Sequence, residues 1–147
     1  MTYNEAETRY QLIDPILRDK GYREWRIRLE TPAPVEPTGN KGRRRAGAGR
    51  TDYLLCVQAG NMPKPLPVAV IEAKAETEDP LKGMQQAKGY ADCTRFDVQY
   101  VFATNGHLYG EFDKPRQMPD GPFPLADFPC HDDLTARYAR DGSGSAG

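Results

Sequence analysis

The run Val68-Ala69-Val70-Ile71-Glu72-Ala73-Lys74 follows four apolar residues with a carboxylate and an ammonium two positions apart. Alternate side chains of a β-strand share a face, so Glu72 and Lys74 point the same way and Ala73 points the other. Upstream, Arg50-Thr51-Asp52-Tyr53-Leu54-Leu55-Cys56-Val57 has the β-branched, aromatic and aliphatic content of a neighbouring strand and carries an acid near its start. Asp52 is therefore a second candidate carboxylate. Two clustered carboxylates are what a hard divalent cation such as Mg²⁺ requires, and a lysine beside them can orient or deprotonate an attacking water. Such a set is equipped for phosphodiester hydrolysis. The competing reading is an ordinary pair of surface charges in a chain where charged residues make up 28%. Position raises the functional one: charge placed directly after an apolar run, at the end of a central strand, is costly unless it is partnered or lines a cleft.

The elements that must position these residues can be read from periodicity. Ala6, Tyr10, Ile13 and Leu17 repeat with helical spacing and predict one buried stripe on a helix from Asn4 to Lys20. Pro15 interrupts it, Asp14 can cap a restart, and Gly21 closes it, so a kinked or two-part helix is expected. Trp25 to Glu30 alternates as a short strand, Thr31 to Gly49 reads as a long loop dense in Pro, Gly and Arg, and Gly60 to Pro67 as a proline-rich turn. After Lys74, Asp79 is a good N-cap with Pro80 at the first helical position. Leu81, Met84, Ala87 and Ala91 supply the buried stripe of a helix reaching about Thr94. Val98 to Thr104 reads as a strand, Asn105-Gly106 as a hairpin turn and Leu108 to Phe112 as the returning strand. The expected order is helix, three strands, helix, two strands. Prolines 115, 119, 122, 124 and 129 predict no regular structure beyond Asp113. The expected division is a core over 1–113, a proline-rich C-terminal extension over 114–140, and a flexible tail or linker over 141–147.

At 147 residues the chain suits one domain with a single core. Its 20 Lys and Arg against 21 Asp and Glu exclude a uniformly basic nucleic-acid wrapper, although not local patches. Cys56, Cys93 and Cys130 are widely spaced and odd in number, which fits reduced thiols in a cytoplasmic protein, with Cys56 in the core. His107 and His131 lack metal-ligand spacing, so zinc is not expected. No apolar run of about 18 residues occurs and the first residues are polar, so neither a membrane span nor a signal peptide is expected.

With a helix, Asp52 on one strand, Glu72-Ala73-Lys74 on the next and a helix after it, the chain resembles the PD-(D/E)xK nuclease superfamily. More specific runs narrow the likeness: Asn4-Glu5-Ala6-Glu7-Thr8-Arg9 with Leu12-Ile13-Asp14-Pro15, then Arg50-Thr51-Asp52-Tyr53, Gln86-Ala87-Lys88-Gly89-Tyr90 and Ala103-Thr104-Asn105-Gly106. Over about Asn4 to Asp113 these resemble the N-terminal nuclease domain of the R (HsdR-type) subunit of type I restriction enzymes. The resemblance implies an α/β restriction-endonuclease-like fold, a mixed central β-sheet flanked by α-helices. It implies that Asp52 and Glu72 bind Mg²⁺, for which Mn²⁺ could substitute, that the Ala73 carbonyl is a further ligand, and that Lys74 orients the attacking water. Glu5 would be an extra acid from the first helix, and Gln86 and Tyr90 the Gln-x-x-x-Tyr motif. Residues four apart do share a helix face and could touch a sugar-phosphate backbone, but a polar face with a packed tyrosine fits the same spacing. Thr2-x-x-Glu5 and Asn4-x-x-Glu7 can each be drawn as a capping arrangement; the family pattern favours Glu5 as the acid and leaves Glu7 as a cap or a surface residue. Arg9, one turn after Glu5, could pair with it.

Arg43, Arg44 and Arg45, with Arg50, form the densest positive cluster just before Asp52 and could hold DNA phosphates, or be a solvated basic loop. R subunits continue into an ATP-driven translocase, yet no Gly-x-x-x-x-Gly-Lys-[Ser/Thr] loop occurs here, so no ATP site is expected in this chain. It would be an excised domain or a short stand-alone relative. The expected partners are double-stranded DNA, methyltransferase and specificity subunits, and a translocase region outside the chain. The rival expectations are a non-catalytic docking or DNA-binding module of the same complexes, and another nuclease of the fold, of resolvase or repair type.

Overall fold

A computed structural model of the protein describes residues 2–32, 50–58, 62–92 and 98–143, with the backbone alone at residues 90, 142 and 143. The described strands are β1 (Ile27–Pro32), β2 (Arg50–Val57), β3 (Leu66–Ala73), β4 (Tyr100–Thr104), β5 (Leu108–Asp113) and β6 (Met118–Pro124). They form one sheet in the order β1-β2-β3-β4-β5-β6. All neighbours are antiparallel except β3 and β4, which run parallel. The parallel pair needs a crossover, and helix α3 (Met84–Ala91) supplies it.

The sheet is covered on both faces. Tyr53, Leu55, Ala69, Ile71 and Phe102 pack with Ile13, Leu17, Phe128 and Leu134, while Leu54, Val70, Val101 and Phe112 pack with Met84, Ala87 and Ala91. Burial of β3 on both sides explains its unbroken apolar run. A mixed α/β architecture with helices flanking a central sheet is thus present.

The N-terminal helical run is split as expected, but upstream of the proline. Helix α1 (Glu5–Thr8) passes into a π-helical turn (Arg9–Ile13) and then helix α2 (Asp14–Asp19). Pro15 has no N–H to give and its ring crowds the carbonyl four residues back, so the preceding turn widens. The extra residue rotates the helix face. Thr8, Ile13 and Leu17 become the buried row, whereas Ala6 is exposed and Tyr10 is 69% exposed, which corrects the expected stripe. Asp14 accepts from the Tyr53 hydroxyl rather than capping a restart. Gly21, at φ +96°, closes the run.

Asp79 caps as expected, its Oδ1 accepting from Leu81 N at 2.9 Å, but the first turn (Pro80–Gly83) is 3₁₀, and Leu81 is 39% exposed rather than buried. Asn105-Gly106 turns the β4–β5 hairpin, with Asn105 Oδ1 accepting from His107 N and Leu108 N, each at 2.9 Å. Cys56 is buried in β2 as expected. Cys93, residues 33–49 of the expected loop, residues 60 and 61 of the turn and residues 144–147 of the tail lie outside the described residues.

The expectation that prolines exclude regular structure beyond Asp113 is overturned. Pro119, Pro122 and Pro124 lie in β6, which among the described residues pairs only with β5 and stands at the sheet edge. An edge strand leaves half of its backbone groups outside the ladder, so a missing N–H costs little there. Helix α4 (His131–Tyr138) follows and covers the sheet. Phe128 fits edge-on between aromatic rings, with centroids 4.7 Å from Phe102 and 5.2 Å from Tyr109. Arg137 of α4 bonds Glu111 at 2.6 Å, and Asp141, in the π-helical turn Ala139–Ser143, accepts from the Tyr100 hydroxyl at 2.9 Å.

The segment after Asp113 therefore completes the core. Phe128→Ala should cost about 3–5 kcal/mol in denaturant unfolding, and a loss under about 1 kcal/mol would show that this segment is peripheral.

Candidate metal centre

The register of β2 and β3 builds the centre. Leu54 lies opposite Val70 and Tyr53 opposite Ile71, so the next step of the antiparallel pair sets Asp52 opposite Glu72. Directly opposed side chains on one face have Cβ atoms about 4.5–5.5 Å apart. Both acids continue the row that Leu54 and Val70 begin, on the face covered by α3. On the other side of β3, Glu72 is level with Ala103 of β4, whose small side chain leaves room.

Helix α1 brings a third acid. Asn4 Oδ1 accepts from Glu7 N at 2.8 Å and Glu7 Oε1 accepts from Asn4 N at 3.0 Å, a complete capping box. Glu7 is thereby occupied as the cap, and Glu5 faces the sheet. Carboxylate oxygens of Glu5, Asp52 and Glu72 all lie within 4.8 Å of one another. Farther out, Glu76 accepts from Tyr3 N at 2.6 Å and bonds His107 Nε2 at 2.9 Å, which fastens the start of this helix to the loop after Lys74.

The charges are only partly compensated. Asp52 Oδ2 accepts from Ala73 N at 2.8 Å and Oδ1 from Arg9 Nη1 at 3.3 Å. Arg9 also bonds Glu30 at 3.1 Å, not the Glu5 expected from helical spacing. The π turn and the proximity of β1 decide this, and neither is visible in local spacing. Burial raises the Asp52 carboxyl above its ordinary value, with Glu5 and Glu30 adding to the shift and the Ala73 N–H and Arg9 opposing it. Glu72 is only 4% exposed, and its Oε1 is buried without a hydrogen-bond partner among the described residues. Burial pushes its carboxyl up to about 8, Asp52 and Glu5 push the same way, and Lys74 and Arg9 oppose. A buried acid oxygen without a donor, next to two other acids, fits a cation as the absent partner.

Lys74 follows the last residue of β3; its N–H donates to Thr104 O at 2.8 Å. Beside Asp52 opens a cleft of about 140 Å³ walled by Arg9, Tyr10, Leu29 and Glu30. Gln86 lies on an exposed part of α3 and Tyr90 in the same helix, the side chain of Tyr90 being outside the described set. Arg43, Arg44 and Arg45 are also outside it, while Arg50 begins β2 and donates to Glu30 O at 3.1 Å. The structure thus brings Glu5, Asp52 and Glu72 together, sets Lys74 beside Glu72, and leaves the basic cluster undescribed apart from Arg50. Sequence reasoning missed the Arg9–Asp52 contact, a pair 43 residues apart with no local signal.

An α/β sheet domain in which acids from α1, β2 and β3 converge on the buried Glu72 is the class these features define. No protein-family model matches the chain, and no curated protein does. Among solved structures, the chain is similar to a fragment assigned as the HsdR subunit of a type I restriction enzyme from Vibrio vulnificus YJ016. The TM-score is 0.71 and the sequence identity 32%, over 96% of this chain. The resemblance to HsdR-type R subunits is therefore borne out, and it extends past Asp113 into β6 and α4. The chain spans only 26% of the length of that relative. Among the described residues, no helix is long and apolar enough to cross a membrane.

The raised Glu72 carboxyl has a consequence for the metal-free protein. The unfolded chain ionises this acid near its ordinary 4.5 and the folded chain near 8. The folded state therefore binds the extra proton between those values, and stability falls as pH rises through that window, by an amount on the order of a few kcal/mol. In chelator, the Tm should drop between pH 5 and pH 8, and Glu72→Gln should remove most of that drop. An equal drop in both proteins would refute the assignment to Glu72.

Proposed function

We propose that this chain is the endonuclease domain of a type I restriction enzyme R subunit, with a PD-(D/E)xK fold, hydrolysing DNA phosphodiester bonds with little sequence preference of its own. The observation that carries the reading is the convergence of Glu5, Asp52 and Glu72 oxygens within 4.8 Å, with Lys74 close enough to Glu72 to favour its ionised form. Asp52 and Glu72, with the Ala73 carbonyl as a further ligand, would hold Mg²⁺, or Mn²⁺ in its place. Bound there, the ion supplies Lewis-acid stabilisation of charge developing on the scissile phosphate.

The chain's own residues do the rest. Asp52 is held by the Ala73 N–H and Arg9, which fixes its carboxylate against rotation. Burial of Glu72 keeps water away from one side of the site, so charge there acts in a low-dielectric setting. Lys74 is proposed to orient the attacking water and Glu5 to add a negative group on the outer side. Gln86 and Tyr90 are proposed as supports for the DNA backbone. Arg43, Arg44, Arg45 and Arg50 are proposed as contacts to phosphates, which position DNA but carry no base-reading logic. The proposed unit takes in β6 and α4. Methyltransferase and specificity subunits, an ATP-driven translocase region and a cytoplasmic location belong to the same proposal, as the resemblance to R subunits implies.

Calorimetric titration with Mn²⁺ in the presence of a short DNA duplex tests the centre. Asp52→Asn and Glu72→Gln should each erase the binding seen with the unsubstituted chain. Lys74→Ala should leave it intact while lowering cleavage by the reconstituted complex at least about 100-fold. Cleavage at the unsubstituted rate by Lys74→Ala would sink the mechanism, and absence of any Mn²⁺ binding would sink the metal centre. Replacing Arg43, Arg44 and Arg45 by Ala should weaken DNA binding and flatten its salt dependence.

A further inference from the structure

Beneath the acidic cluster, the 3₁₀ turn Pro80–Gly83 packs against Glu72 and Lys74. A Cβ built on Gly83 would lie 2.9 Å from Glu72 Cγ, 3.2 Å from Lys74 Cε and 3.4 Å from Glu72 Cβ. The first separation is one that folded proteins do not tolerate, and the second needs a neighbour to give way. Gly83 and Glu72 are both buried, so the Glu72 stem is the constraint, whereas the half-buried Lys74 can shift the far end of its chain. Its backbone needs no positive φ, unlike Gly21 and Gly106. The requirement here is for space alone.

We infer that Gly83 is a positioning residue: its bare α-carbon is the wall against which Glu72 and Lys74 are set, and the chemistry at this position takes no larger side chain. Resting on the metal-centre reading above, this adds a residue that neither the motif nor the acid cluster names. The turn leads straight into α3, which is fixed to the sheet through Met84, Ala87 and Ala91 against Leu54, Val70 and Val101. Gly83 therefore joins the placement of the crossover helix to that of the Glu72–Lys74 pair. Pushed by a methyl group, Glu72 must move its carboxylate relative to Asp52 or carry β3 with it. Lys74 loses the lane its stem occupies.

The same helix supplies a control. At Gly89 an added Cβ would meet nothing within 4 Å. Gly89→Ala should therefore leave both fold and site unchanged, or stabilise slightly through helix propensity. Mn²⁺ titration in the presence of duplex DNA should show Gly83→Ala weakened at least tenfold and Gly89→Ala unchanged. Without metal, the ¹³C carboxyl resonance of Glu72 should shift in Gly83→Ala and stay put in Gly89→Ala.

A thermal double-mutant cycle makes the contact testable even where Gly83→Ala folds poorly. Glu72→Ala deletes the Cγ that the new methyl would strike. Gly83→Ala should lower the Tm of the native sequence by several degrees and that of Glu72→Ala by much less, so the second substitution rescues the first. Mn²⁺ affinity equal to that of the unsubstituted chain in Gly83→Ala overturns the inference, and so does an equal loss of Tm in both backgrounds. No Mn²⁺ binding by the unsubstituted chain would instead count against the metal centre, and the cycle and the resonance would still decide the role of Gly83.

Discussion

Everything around the site answers one constraint: a carboxylate, Glu72, is placed at the end of an apolar row and buried opposite a second carboxylate, Asp52. Two acids at adjacent positions of an antiparallel pair repel, and taking either out of water adds to the cost. The fold offsets Asp52 with the Ala73 N–H and the Arg9 guanidinium, and it sets Lys74 near Glu72, but it gives Glu72 Oε1 no donor among the described residues. An ordinary core would have replaced Glu72 with Val or Leu. Keeping it demands a sheet stiff enough to hold the acid in place, and β3 provides that as an inner strand paired on both sides and covered on both faces.

That constraint explains which features were legible in the sequence. The period of two along Val68–Lys74 places Glu72 and Lys74 on one face whatever the surrounding fold, so that relation needs only local geometry. The Asp79-Pro80 start of the crossover and the Asn105-Gly106 hairpin are likewise local chemistry, a side-chain cap and a turn that few other residues can make. Asp52 opposite Glu72 is different. The β2–β3 register contains a shift between Leu55 and Cys56, and strand spacing alone does not reveal where a bulge falls. The acids could be nominated separately, but their opposition is a product of the folded sheet.

The misreadings share a physical origin in long-range structure. The stripe Ala6, Tyr10, Ile13, Leu17 presumes 3.6 residues per turn throughout, and one π turn ahead of Pro15 was enough to expose Tyr10 and bury Thr8 instead. Prolines 119, 122 and 124 read as barriers to a strand because the sequence does not say that β6 lies at an edge. Arg9 was paired with the acid one helical turn before it, whereas its partners Glu30 and Asp52 come from β1 and β2. In each case local preference was correct about the residue and silent about the neighbour that decided its role.

The three acids come from three separately anchored elements, α1, β2 and β3. Glu5 reaches the cluster only because the Asn4–Glu7 box starts the helix at the right residue and Glu76 fixes Tyr3. Asp52 depends on pairing with β3, and Glu72 on the packing of α3. No single element therefore contains the centre, and the unfolded chain, with Glu5 and Asp52 47 positions apart, has nothing equivalent to offer a cation. A ligand recognised by the folded state alone stabilises that state by mass action. A cation held jointly by the three would thus relieve the repulsion that the sheet sustains and at the same time lock α1 to β2 and β3. Repulsion within the cluster and the affinity for a cation proposed above would then be two expressions of the same charge, gathered around the buried Glu72.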